Sequence, residues 1–327
     1  MSAVELPRWD GRQADANGCL ALVDTWADTL LATGIVDAFS PMAGARLARL
    51  KGAELFVQLD DFAGKFWDFR HGRERNLAVA PEFSSRQHEA IAHAAAALGL
   101  DGTPPPMRAR YDAVILTGGM VRAGIVKPRY LRELLDGGLE WREGVFLGAF
   151  RAFAGDELAL ADALGVAGND EFDAMVAGMR RAFDLGAPDR VEGSDEAGSA
   201  RRGASAWRAE SWTMNDRTLR VIAAPSSDPG HRRANTVDTY RFWASRADSI
   251  HSVLVITTPV YVPYQAAGAI EVLGLEFGLS VETVAVSDTA SDLGRNTQLF
   301  LPMHQVQELR SAVHGFRQLR QHLVRTG

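Results

Sequence analysis

The sequence predicts an α/β fold: a Rossmann-like, mainly parallel sheet with helices on both faces, plus an N-terminal helical region and a C-terminal helix. Three observations carry that expectation. From Tyr111 onward, short β-branched apolar runs alternate with amphipathic helical stretches, the rhythm of a parallel sheet wound by crossover helices. Before that point the patterning is helical. Between the two textures lies DGTPPPMRAR, residues 101–110, whose three consecutive prolines cannot continue a helix. The expected organisation is a helical region over 1–108, an α/β core over 109–290 with an insertion at about 168–217, and a helical tail over 291–327.

The elements follow in order. GCLALVDTWADTLL (18–31) sets Leu22, Trp26 and Leu30 four apart on one helix face, and SSRQHEAIAHAAAALG opens with a capping-box pattern, Ser84 and Gln87, and closes on Gly99. YDAVILTGG is a buried strand ending in two glycines, followed by a helix, PRYLRELLDGG. GVFLGAF (144–150) is a second strand, and DELALADALG its helix, with Leu158, Ala161 and Leu164 expected along the buried stripe. The insertion holds a helix-like EFDAMVAGMRRAFDLG and a polar GSDEAGSARRGAS too poor in apolar surface to order itself, so the whole reads as a mobile loop. SAWRAESWTM and RTLRVIAAP flank Asn215–Asp216 as a hairpin. ANTVDTYRFWASR (helix), SVLVITTP (strand), QAAGAIEVLGLEFG (helix) and SVETVAVS (strand) complete the core. The tail, LPMHQVQELRSAVHGFRQLRQHLV, is amphipathic and expected to pack back on that core.

Composition limits the function classes. The 327 residues are 46% hydrophobic and 23% charged, as in folded soluble proteins, and 327 residues are ample for a large core. A net charge of −6 supplies no overall positive field, so nucleic acid is not the expected main partner. Cys19 is the single cysteine, which excludes an intrachain disulfide, thiolate zinc and iron–sulfur ligation. Its expected role is that of a small apolar filler. No apolar run reaches the ~18 residues of a membrane span, and MSAVELPRWDGRQ lacks the order of a signal peptide. No membrane partner and a cytoplasmic location are therefore expected; no oligomeric state is implied.

Familiar motifs fail one by one. HEAIAH resembles a zinc-protease HExxH, but His88 and His93 are five apart, about 140° around a helix, and cannot share a metal as an i, i+4 pair does. There is no GxxxxGK[ST], no GxSxG, and Gly118–Gly119 with Gly124 misses the GxGxxG spacing. Asp60–Asp61 has Gly64 where a DDxxD cluster needs its third aspartate. No metal site is expected.

In an open parallel sheet, ligands bind beyond the carboxyl ends of the strands, so the residues just after each strand are the candidate pocket. Thr117, Gly118 and Gly119 would let backbone N–H groups approach an anion; an ordinary turn explains them equally. Arg151 could grip a carboxylate or phosphate in a fork, and Glu157 opens the next helix, either as an acid–base group or simply as a complement to the helix dipole. Ser226, Ser227, His231, Arg232 and Arg233 precede Asn235–Thr236, able to bind an anion or merely to cap a helix. Thr257, Thr258, Tyr261 and Tyr264 supply the fourth loop, Ser287 and Asp288 the fifth. Glu157 and His231 are the proton-transfer candidates.

The ordered segments AVILTGG, FLGAFR, Glu157 in DELALADALG, RRANTVDT and ITTPVYVPYQAAGA resemble the YdcF/SanA/ElyC-like family of bacterial α/β proteins, over roughly 110–165 and 218–290. Two departures stand out: Asp238 and Thr239 replace the family's glutamate and asparagine after NT, and Tyr261 and Tyr264 replace its histidine and arginine. The resemblance implies a Rossmann-like fold and a nucleotide-like or phosphorylated small-molecule ligand, with S-adenosylmethionine or a nucleotide as candidate cofactor. The expected function is a small-molecule enzyme of the transferase or hydrolase type, in specialised metabolism, with a non-catalytic ligand-binding or regulatory protein as the alternative. An interaction scaffold is a third.

Overall fold

Ahead of the triple proline the described residues form five helices, because the apolar stripes have the helical period. They are α1 (Ala16–Ala32), α2 (Ile35–Phe39), α3 (Pro41–Leu47), α4 (Gly52–Phe66) and α5 (Ser85–Ala97). The core then runs β1 (Arg110–Thr117), α6 (Val121–Asp136), β2 (Glu140–Gly148), α7 (Glu157–Ala163), α8 (Glu171–Phe183), β3 (Arg190–Gly193), β4 (Arg208–Met214), β5 (Arg217–Ala223), α9 (Thr236–Ala244), β6 (Ser252–Thr257), α10 (Val262–Ala269), β7 (Ser280–Ala285) and α11 (Asp288–Ser291). The tail is α12 (Pro302–Thr326). This computed structural model describes residues 3–11, 15–69, 81–194 and 203–326.

The chain divides into two compact units: Met1–Pro104 with Pro259–Glu271 and Leu299–Gly327, and Pro105–Thr258 with Val272–Gln298. The first is helical. α12 does not pack back on the sheet core as its amphipathicity suggests; it packs against α1, α4, α5 and α10 within the helical unit. There the Phe316 ring lies 4.8 Å from that of Trp26, whose Nε1 donates to Leu98 O at 3.2 Å. Arg320 and Arg317 on α12 pair with Asp24 and Asp60. The Ser84–Gln87 capping box is present at the start of α5. The 259–271 segment, read from sequence as part of the α/β core, belongs to this unit because α10 packs on α12.

Among the described residues the second unit holds a seven-stranded mixed sheet, ordered β3-β4-β5-β2-β1-β6-β7. β5, β2, β1, β6 and β7 run parallel, with Val114 opposite Gly144 of β2 and Leu254 of β6. Strands covered on both faces read as continuous apolar runs, which is why VILT and VLVIT lack alternation. β4 and β5 form the expected hairpin around Asn215, whose φ of 54° lies in the left-handed region that asparagine tolerates. One face packs Val126, Tyr130 and Leu131 of α6 and Phe172, Met175, Met179 and Phe183 of α8 onto the sheet. α9 packs on β2, and its Trp243 Nε1 donates to Glu143 Oε1 at 3.2 Å. No described helix is long and apolar enough to cross a membrane.

Two local expectations are corrected. The insertion at 168–217 is not a loose loop over its described length: EFDAMVAGMRRAF carries an apolar stripe that buries α8 in the core, and β3 and β4 extend the sheet. Of its polar stretch, residues 195–202 lie outside the described residues. In α7 the buried face is Glu157, Leu160 and Ala161, whereas Leu158 is 54% exposed. A buried acid in place of an apolar residue shifted the stripe by one position.

α6 and α8 meet backbone to backbone. Pro128 lies inside α6 and has no N–H for the Gly124 carbonyl four residues earlier. That carbonyl faces Gly178 of α8, where an added Cβ would stand 1.8 Å from Gly124 O. Only glycine fits. Gly178→Ala should therefore force the helices apart and destabilise by roughly 1–3 kcal/mol in urea unfolding, since the atom in the way is backbone and cannot rotate aside. A loss indistinguishable from zero would mean that the two helices are not in contact at this point.

Candidate functional site

β1 and β6 are neighbours in the sheet, yet the chain leaves β1 toward β2 and β5 and only later returns on the other side to β6 and β7. That reversal is the switch point at which open α/β sheets form their ligand crevice. Its base is built from threonines: Thr117 ends β1, Thr257 ends β6, and their buried hydroxyls are 3.0 Å apart.

Lys127, from the second turn of α6, reaches back to the same point. Its Nζ donates to Thr117 O at 2.6 Å, Thr117 Oγ1 at 2.9 Å and Gly118 O at 3.2 Å. The residue is 1% exposed. Burial pulls its pKa down to about 7, against the opposing influence of Glu171.

Glu171 is the first residue of α8, and the stripe that buries the helix carries its carboxylate into the β1–α6 turn. Oε1 accepts the Gly119 N–H at 2.6 Å and Oε2 the Arg151 Nε at 3.3 Å. Burial raises its pKa, opposed by Arg151, the Gly119 N–H, Arg233 and Lys127. Gly118 and Gly148 shape its cradle: a Cβ would stand 2.2 Å and 3.0 Å, respectively, from Glu171 Oε1. These glycines end β1 and β2 because a carboxylate lies against them.

Glu157, 1% exposed, is clamped from four directions. Oε2 accepts from Arg151 Nη1 at 2.7 Å and Ala154 N at 3.0 Å, and Oε1 from Arg151 Nη2 at 2.9 Å and Val121 N at 3.3 Å. Burial alone would push this carboxyl up, but Arg151 and the two N–H groups outweigh it and hold it below the usual range. Arg151 Nη2 also donates to Gly119 O at 3.2 Å. The turn that would offer N–H groups to an anion thus already holds two carboxylates of the chain, and Arg151 is engaged with both.

The remaining candidates from sequence fall elsewhere. Asn235 caps α9 in a reciprocal box with Asp238, its Oδ1 accepting the Asp238 N–H at 3.0 Å, and Thr236 is the first helical residue. Arg232 grips the Asp238 carboxylate and Ser227 Oγ. Burial would raise the Asp238 carboxyl, but Arg232 and the Asn235 N–H bring it down to about 2. Capping therefore accounts for this cluster without a ligand. Ser226 is buried, accepting the Asp228 N–H at 3.0 Å. His231, with its side chain 84% exposed, pairs with Asp228 and is not brought to Glu157. Thr258 is buried beside Thr257 in sequence, whereas Tyr261 and Tyr264 belong to the helical unit, Tyr261 edge-on to Phe300.

Lys127 and Glu171 escaped the sequence reading. Lys127 sits one position ahead of the segment taken as the helix start, and Glu171 opened a helix assigned to a loop. One signal existed: Lys127 is one of three lysines in a chain that otherwise uses arginine, and it precedes a proline inside an apolar run. Among the described residues no group of three His, Cys, Asp or Glu side chains could hold a metal. A cleft of about 420 Å³ lies on the other flank of α8, between Phe172, Val176, Arg180, Arg181, Arg208 and Glu210, and includes none of the candidates. Its guanidiniums hold Leu185 O, Gly165 O and the Glu210 carboxylate.

Residues 10–99, within the helical unit, match the family model of the Rv3785 N-terminal domain. The chain is 28% identical over 284 residues to the uncharacterized protein Rv3785 of Mycobacterium tuberculosis H37Rv, covering 85% of this chain and 76% of that protein. The same identity and coverage hold for the uncharacterized protein MT3893 of Mycobacterium tuberculosis CDC 1551 and the uncharacterized protein Mb3814 of Mycobacterium bovis. An alignment of that length spans both units. No solved structure matches the chain.

Proposed function

We propose that the protein is a small-molecule enzyme of the transferase or hydrolase type that binds a nucleotide-like or phosphorylated ligand beyond the carboxyl ends of β1, β2 and β6, with Glu171 as its proton-transfer group. One observation carries the reading: a lysine and a glutamate, both buried and both shifted toward their neutral forms, lie at the turn that follows β1, Lys127 on the Thr117 and Gly118 carbonyls and Glu171 on the Gly119 N–H. Buried ionisable groups destabilise a core by several kcal/mol each unless compensated, and perturbed groups of this kind concentrate in functional sites. The ordered motifs that resemble the YdcF/SanA/ElyC-like family add support, and a cytoplasmic location belongs to the same reading.

The chemistry follows from what holds Glu171. An anionic ligand approaching the first turn of α6 competes with Glu171 for the Gly119 N–H, and a carboxyl with a raised pKa yields that N–H by taking a proton. Glu157, held ionised by Arg151, anchors the guanidinium rather than exchanging protons. Lys127 sets the local potential. Binding of an anion therefore takes up a proton, whereas a cation such as S-adenosylmethionine leaves Glu171 ionised and releases protons from its partners.

The test is a thermal-shift screen against nucleotides, nucleotide-sugars, S-adenosylmethionine and phosphorylated metabolites. A ligand at 100 times its dissociation constant adds ~2.7 kcal/mol. Glu171→Gln keeps the shape and removes the charge; an anionic hit should bind it at least as tightly, while turnover falls by roughly 10²–10⁴. Calorimetry in buffers of different ionisation enthalpy reads the proton. No stabilisation by any compound class would sink the proposal. A non-catalytic ligand-binding or regulatory protein is the second reading, favoured because Arg151 and Arg232 both already hold carboxylates and His231 pairs only with Asp228 among the contacts described. It predicts a hit with no turnover in either form.

A further inference from the structure

β3 closes the sheet on one side, and all four of its residues are exposed. Its inner edge is taken by β4, with Arg190 opposite Ser211 and Glu192 opposite Ala209. Ser194 N donates to Trp207 O at 3.0 Å, which sets the parity of the ladder over 190–194, while Asp189 N, just before the strand, also turns inward onto Ser211 O at 2.9 Å. Arg190 and Glu192 turn their backbone groups inward, and Val191 and Gly193 turn theirs outward. Among the described residues no strand pairs with that outer edge.

An open edge accepts another strand, and the side chains on it decide which. Arg190 and Glu192 share one face, where they form an ion pair of 2.8 Å, while Val191, 51% exposed, stands on the other. Antiparallel pairing of two β3 strands about a twofold axis through Val191 brings the outward-turned backbones of the two Val191 residues together. Arg190 of each copy then faces Glu192 of the other, twice over. Asp189 faces Gly193, so no like charges meet. A register centred on Glu192 would also bond Val191 to Gly193 but would set the two Glu192 carboxylates against each other, and one centred on Arg190 would do the same with two guanidiniums.

We infer that the outer edge of β3 is a self-complementary docking edge, joining two copies of this chain through an antiparallel β3–β3 pair centred on Val191. The opposite charges one residue to either side of the axis set the register, and the exposed valines meet on the other face. Four residues per copy bury far less than the ~1,600 Å² of a standard stable interface, so the dimer is weak and concentration-dependent.

Sedimentation equilibrium of the full chain tests this directly. The wild type should self-associate reversibly. Glu192→Arg, which sets Arg against Arg, should abolish association, and Arg190→Glu with Glu192→Arg should restore it. Exposed substitutions of this kind leave the fold intact. Register is read by Val191→Cys, because the Cα atoms of a hydrogen-bonded antiparallel pair lie about 5.5 Å apart, within disulfide reach. On mild oxidation it should form a disulfide-linked dimer about tenfold faster than Asp216→Cys at the exposed β4–β5 turn, through its higher effective concentration. Cys19 is buried and does not compete. The inference is overturned by absence of self-association up to roughly 1 mM, by equal cross-linking of the two cysteine variants, or by association that survives Glu192→Arg. Capture of another protein's strand with no β3–β3 cross-link would overturn it as well.

Discussion

Glu157→Leu is expected to destabilise the folded protein by about 3–5 kcal/mol, because it leaves a largely buried guanidinium without its main partner. Arg151 has a side chain 17% exposed, and two of its nitrogens donate to Glu157, at 2.7 and 2.9 Å. The substitution also orphans the Val121 and Ala154 N–H groups, which no leucine can satisfy. What remains is Glu171, on Arg151 Nε at 3.3 Å, and the uncharged Gly119 carbonyl, on Nη2 at 3.2 Å. The double variant Arg151→Met with Glu157→Leu should recover most of the loss, since apolar residues of similar size often replace a buried ion pair at little cost. Glu171 then loses its cation, but burial already favours its neutral form, so it can protonate in place. The measurement is urea unfolding at constant m, with the coupling taken from the cycle. Single losses that simply add would show Arg151 to be hydrated and available to a ligand, and the reading of Glu157 as an anchor would fail.

How much of this could be read in advance depends on whether a signal is local. The strand–helix rhythm from Tyr111, the Ser84–Gln87 box and the Asn215 hairpin are fixed by neighbours in sequence, so periodicity and turn chemistry suffice to place them. The carboxyl ends of β1 and β2 were legible for the same reason: Gly118–Gly119, Arg151 and Glu157 follow apolar runs directly. What the glycines serve was not legible. Gly118 and Gly148 accommodate a carboxylate that arrives from α8, 53 and 23 residues later in the chain. A tertiary partner of that kind leaves no periodic trace at the glycines. Likewise Gly178 is dictated by the Gly124 carbonyl that Pro128 cannot bond, a dependence visible only once α6 and α8 lie against each other.

The misread insertion has a physical cause too. α8 is followed by a short exposed strand and a polar stretch, and their composition coloured the whole of 168–217 as a loop. Yet Phe172, Met175, Met179 and Phe183 recur at three- and four-residue spacing, the signature of one buried helix face. Reading that face separately places Glu171, at the first turn, against the end of the sheet. The C-terminal helix was recognised as amphipathic, but amphipathicity says only that a face is buried, not against what, and its partners are α1, α4, α5 and α10.

The pH dependence of stability isolates Lys127. Burial lowers its pKa from the ordinary 10.5 to about 7 in the folded chain, so between those values the unfolded state carries the extra proton. A basic group depressed in this way destabilises the fold at pH below about 7, and the loss is recovered as pH rises toward the unfolded value. Lys127→Met has no such slope. The stability of the wild type minus that of the variant should therefore rise between pH 7 and 10.5, by something on the order of 4 kcal/mol. The hydrogen bonds to Thr117 and Gly118, lost in the variant, offset the difference without giving it this slope. Glu171 works in the opposite sense: a carboxyl raised by burial loses stability as pH climbs through the range just above its unfolded value, so its contribution begins at lower pH. Adding Glu171→Gln to both chains removes that limb and leaves the lysine limb alone. A difference curve flat above pH 7 would mean that three acceptors hold Lys127 as an ammonium ion in the folded state. Lys127 and Glu171 would then be an ordinary buried charge pair, with no proton poised near neutrality and no support for Glu171 as the group that moves one.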